Sequence, residues 1–135
     1  MANTVTNKRH SNSLKTSLVT NGAVVGLSTG SAAVVISEID ATVYERATLQ
    51  IKHGVDSGTA TITAKVYGSL FDEAGTVGGA NWTQIGDDIT ITNATSAMKS
   101  IATTGLRNLG VTMTIASGTP NFTAGNCKVF LQGTI

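Results

Sequence analysis

Cysteine, histidine, aromatic residues and charge are all scarce in this chain of 135 residues. It has one cysteine, two histidines and six aromatic side chains, and only 13% of its residues are charged, against roughly 25% in an ordinary soluble domain. One cysteine excludes an internal disulfide framework. It lies in Cys127-Lys128-Val129-Phe130-Leu131, where a buried strand thiol is expected. The histidines, His10 and His53, come without Cys-x-x-Cys or His-x-x-x-His spacing, so zinc has no ligand set. Long apolar runs are missing as well. No stretch approaches the ~18 residues of a membrane span, and the first residues carry no apolar signal core. No membrane association is expected, and synthesis in a reducing cytosol is the default. The sequons at Asn81, Asn93 and Asn121 then read as chance products of a chain whose commonest residue is Thr. A net charge of +1 and a pI near 7.9 provide no global field to draw in nucleic acid.

The search for chemistry is almost as empty. Of the eight carboxylates, Asp72-Glu73 and Asp87-Asp88 are adjacent pairs, and neighbours on a strand point to opposite faces. Asp72 and Glu73 in a loop lack the run of alternating oxygens that strong Ca²⁺ sites show. No Gly-x-Ser-x-Gly elbow is present. The Gly75–Gly79 stretch (GTVGG) neither opens a helix nor carries a Lys-Ser/Thr, which argues against a phosphate loop. No catalytic residues, metal ligands or cofactors are therefore expected.

What the chain does have is a period of two. In Ala47-Thr48-Leu49-Gln50-Ile51-Lys52-His53 apolar and polar residues alternate, as on a half-buried strand. After the turn-like Gly54-Val55-Asp56-Ser57-Gly58, residues Ala60, Ile62, Ala64 and Val66 alternate with Thr61, Thr63, Lys65 and Tyr67. These two segments are expected to form a central antiparallel hairpin. Further strand candidates are 14–20, 23–27, 32–37, 83–85 with 88–92, 97–102, 109–115 and 127–133. Turn signals about every 8–12 residues suit an all-β sandwich. Short helical turns near 37–40 or 96–99 are the most that helical structure could amount to. Leu49, Ile51, Ile62, Val66, Val111, Met113, Val129 and Leu131 are the expected core.

Two segments stand outside this pattern. Residues 1–13, MANTVTNKRHSNS, form a polar arm with a Lys8-Arg9-His10 cluster. Its side chains offer little to bury, so neighbouring copies or partners are expected to hold it, through Asn7, Lys8, Arg9, His10 and Asn12. The folded part lacks a matching basic stripe and has few aromatics to stack bases, so nucleic acid is not an expected partner. Residues 70–81, LFDEAGTVGGAN, make a connection longer than the 2–5 residues usual in a hairpin. Tyr67, Phe71, Asp72 and Trp82 are its candidate functional residues. A small aromatic platform for sugar is one reading of Tyr67 and Trp82; the preferred one is that Trp82 anchors the loop onto the sandwich.

The run Lys65-Val66-Tyr67-Gly68-Ser69-Leu70-Phe71-Asp72, followed by Asn81-Trp82-Thr83-Gln84-Ile85-Gly86, resembles a pattern in β-sandwich structural proteins of tailed bacteriophages. There a strand ending in Gly-Ser leads through an Asp-containing loop to Trp-Thr/Val and the next strand. This chain departs from it by an insertion at 73–80. Its small size, Thr/Gly/Ala bias and polar arm are similar to those of phage capsid decoration (cement) proteins. The resemblance implies a small sandwich on the outer capsid, in trimers or dimers, that contacts the major capsid protein and braces its neighbours. The expectation is thus a single antiparallel, jelly-roll-like β-sandwich over 14–135 with an extended arm over 1–13. The function expected from the resemblance is that of a non-enzymatic virion protein of the capsid surface, made in the host cytoplasm and forming homo-oligomers. The alternatives are a tail or neck component and, from another class, a carbohydrate-binding module.

Overall fold

A computed structural model describes residues 32–42, 44–53, 61–92, 95–118 and 127–134. The arm over 1–13, with Asn7, Lys8, Arg9, His10 and Asn12, and the strand candidates 14–20 and 23–27 lie outside the described residues. Within them the chain is all β. Strands β1 (Ala33–Asp40), β2 (Arg46–His53), β3 (Thr61–Ser69), β4 (Thr83–Gln84), β5 (Ile89–Thr92), β6 (Ser96–Ala102), β7 (Asn108–Ser117) and β8 (Cys127–Thr134) are joined by turns. No helix occurs among the described residues: the stretches 37–40 and 96–99 belong to β1 and β6. Ser37, Asp40 and Ser96 sit at exposed positions of these edge strands and Lys99 is half-buried opposite Leu49, so extended pairing accommodates their polar groups without a helix.

Every strand pair is antiparallel. One sheet runs β1-β7-β3, with β4 and β5 both lying along the far side of β3; the other runs β6-β2-β8. The two sheets pack into a β-sandwich whose core takes Ile36, Ile62, Val66, Ile91, Val111 and Met113 from the large sheet and Leu49, Ile51, Ile101, Val129 and Leu131 from the small one. All eight expected core residues are buried here. Apart from the β3-β4-β5 run, each strand is followed by one in the opposite sheet, an alternation in keeping with the jelly-roll-like expectation.

The central hairpin is not formed. β2 pairs with β6 and β8, and β3 pairs with β7, β4 and β5, in different sheets. The reason is physical. Each strand has one apolar face, Leu49 and Ile51 on β2 and Ile62, Ala64 and Val66 on β3, and all of these side chains belong to one buried cluster. Facing each other across the core buries both stripes, which side-by-side pairing alone would leave open to solvent on one side.

β7 departs from simple alternation. Asn108 through Met113 are all buried, Thr112 included at 4% exposure. The inner face meets the core, and the outer face is covered by the long connection between β3 and β4. Val77 sits directly over Gly110, so close that a Cβ there would lie 2.6 Å from Val77 Cγ2. Gly78, at φ +86, turns the chain beside Tyr67 and Thr112. The loop thus forms a second small apolar cluster, Ala74, Val77 and Trp82 with Tyr67 packed against it, on the outside of the large sheet.

Candidate interaction surface

The four loop candidates separate into two groups. Trp82 is buried, with its indole Nε1 donating to the Gly75 carbonyl at 3.3 Å, and Tyr67 packs beneath the same loop. Trp82 therefore anchors the loop to the sheet, and a sugar platform would lack its largest ring. Phe71 and Asp72 lie at the end of the sandwich and are exposed.

That end is built from the finish of β3, the start of β7 and the finish of β1, because Ser69 stands opposite Asn108 and Asn108 opposite Asp40. Leaving β3, the chain passes through Leu70 and Phe71, exposed at 70% and 55%. Two apolar side chains are held out to water on a tightly fixed backbone. The Phe71 N–H donates to Ser69 Oγ at 3.1 Å, and the Phe71 carbonyl accepts from Asn108 Nδ2 at 2.7 Å. Ser69 Oγ itself donates to the Asn81 carbonyl at 2.7 Å, tying the two ends of the loop together. Ser69 and Asn108 are both buried, so these bonds are shielded from competing water. One turn further, Arg107 Nη2 meets Asp72 Oδ1 at 2.6 Å. Both partners are exposed, so the ion pair adds little stability but orients the start of the loop.

Two depressions flank this tip. A groove of about 330 Å³ is lined by Leu70, Phe71, Thr83, Ile85 and Leu106. A recess of about 640 Å³ is lined by Glu38, Asp40, Thr42, Asp72, Arg107 and Asn108. In the recess the Thr42 hydroxyl and then its N–H hold the Asp40 carboxyl below the ordinary carboxylate range, with Arg107 adding to the effect. Glu38, Asp40 and Asp72 line this recess with Arg107, Glu73 follows Asp72 in the exposed loop, and the Glu45 carbonyl, which accepts from the Thr103 N–H, brings the start of β2 to the same end. Exposed Leu70 and Phe71 thus stand beside a recess lined by three carboxylates and one arginine. Phe71 and Asp72 were legible as loop candidates; Leu70, Glu38, Arg107, Ser69 and Asn108 were not, since only strand register brings them together.

Elsewhere, Cys127 is the buried strand thiol expected, and desolvation pushes it up to about 11. His53 is buried at the end of β2, where its backbone N–H donates to the Thr95 carbonyl. Comparison of the chain with protein-family models, curated proteins and solved structures finds no match.

Proposed function

We propose that this chain is a structural protein of a tailed-phage virion, a capsid decoration protein that binds and stabilises the head lattice as one of many repeated copies. The observation that carries this reading is the fixed, exposed Leu70–Phe71 tip. Leaving two large apolar side chains in water is unfavourable by about 25 cal/mol per Å² of apolar surface, and the buried Ser69 and Asn108 bonds to Phe71 hold them there. Such a preorganised pair docks onto a neighbouring subunit with little loss of conformational freedom. A charge-poor, Thr-rich exterior resists association weakly, and a symmetric shell turns modest contacts into firm attachment. The arm over 1–13 supplies the second contact, with Lys8 and Arg9 donating to carboxylates or carbonyls of the major capsid protein.

The test is co-sedimentation of the full chain with virions stripped of it. Wild type binds saturably, and the Leu70→Ser/Phe71→Ser double variant, folded as judged by unfolding in urea, loses most of that binding. A wild-type chain that stays in the supernatant, or a variant that binds undiminished, refutes the reading.

A further inference from the structure

The small sheet presents an outer face of a different character. Register places Lys52 directly opposite Lys128, with Ser96 on the other flank, and the next row reads Met98, Gln50, Phe130. Met98 is 66% exposed and Phe130 half-buried. Beyond them lie Ser100, Thr48 and Gln132, then Arg46, whose Nη1 donates to Ser100 Oγ. No carboxylate belongs to these rows among the described residues. Two like charges directly opposite on one face of an antiparallel pair repel each other, so the lysine pair is best accommodated with an anion laid across it.

The rest of the molecule supplies the matching shape. Lys52 lies six positions along β2 from Arg46, which puts the lysine pair ~20 Å from the acidic end at ~3.4 Å per residue. One end thus carries exposed Leu70 and Phe71 beside a recess lined by Glu38, Asp40 and Asp72, with Arg107 paired to Asp72 and Glu73 next along the loop. The other carries Met98 and Phe130 one row, or ~7 Å, from two lysines. A single copy cannot bring these patches together.

We infer that copies of this chain associate head to tail, the tip of one seated on the small sheet of the next. Leu70 and Phe71 cover the Met98–Phe130 row, and Glu38 and Glu73 reach Lys52 and Lys128. This rests on the reading of the tip as a subunit-docking element and names its partner. The contact is heterologous, so repetition gives a ring where the rotation closes.

Sedimentation velocity of the full chain across concentration tests it. Wild type should self-associate, more strongly at low salt than at high. Lys52→Glu/Lys128→Glu should be monomeric, and so should Glu38→Lys/Glu73→Lys. Mixed in equal amounts, these two should co-assemble in alternation, since the acidic tip of the first fits the lysine sheet of the second and the lysine tip of the second fits the glutamate sheet of the first. All four substitutions on one chain should restore self-association, which also shows that the changes leave the fold intact. Association of the lysine variant at wild-type strength, or no pairing in the mixture, overturns the inference. A wild type monomeric at every concentration does the same; if its Leu70→Ser/Phe71→Ser variant still loses virion binding, the tip docks on another protein and the functional reading stands.

Discussion

Substituting Gly110 by Ala probes how the long loop is held to the large sheet. An added Cβ would lie 2.6 and 2.7 Å from the two Val77 methyls and 3.2 Å from Val77 Cβ. Gly110 does not have positive φ, so the penalty is steric rather than conformational. Overpacking of this kind costs about 1–3 kcal/mol. Val77 is anchored on the loop, so the loop must lift, taking with it the bond from Trp82 Nε1 to Gly75. Val77→Ala alone removes two buried methyl groups, about 1–2 kcal/mol at ~0.8 kcal/mol per carbon. The double variant should therefore cost less than the sum of the singles, because Val77→Ala vacates the space that the new methyl needs, with a coupling of about 1 kcal/mol or more. Urea unfolding measures the three stabilities. The single tryptophan reports the local event: emission should shift to longer wavelength in Gly110→Ala and return in the double variant. A neutral Gly110→Ala with unchanged emission, or strictly additive costs, would mean that Val77 does not cover β7.

Other perturbations test the rest of the account. Leu49→Ala and Ile62→Ala, each at a fully enclosed core position, should each cost about 2–5 kcal/mol in urea unfolding. Cys127, raised from 9.0 to about 11 by burial, keeps its proton in the folded chain after the unfolded chain has lost it. Its contribution is complete below pH 9 and disappears as pH rises to about 11, a loss of roughly 2–3 kcal/mol at 1.36 kcal/mol per unit. Stability curves of wild type and Cys127→Ala should therefore converge or diverge over that window, and parallel curves would contradict the burial of the thiol. Asp88 is held low by the Gln84 amide, with Lys65 adding attraction; Gln84→Ala should raise its midpoint in an NMR titration. Deleting residues 1–12 should leave the melting temperature of the isolated subunit nearly unchanged and sharply reduce occupancy on virions.

Much of this fold is readable from the chain because a half-buried strand alternates apolar and polar residues. Leu49-Gln50-Ile51 and Ile62-Thr63-Ala64 are strands in the sequence and in the structure. Periodicity says nothing about which strand lies beside which. β2 and β3 look like a hairpin because they are consecutive, yet burial of both stripes sets them in opposite sheets. Thr112 looks like a solvent-facing residue, yet it is buried beside Gly78 of the loop that returns over β7. The interaction surfaces were legible in part for the same reason. Phe71 and Asp72 stand out as loop residues, whereas the clamp from Asn108 and the meeting of Lys52 with Lys128 depend on register between distant segments.

The most direct measurement is an image of the native virion by electron cryo-microscopy. The account predicts compact densities of the size of this sandwich, repeated over the head lattice, each with its Leu70–Phe71 end against a neighbouring subunit. Virions that lack the chain, or carry it only along the tail axis, would contradict it.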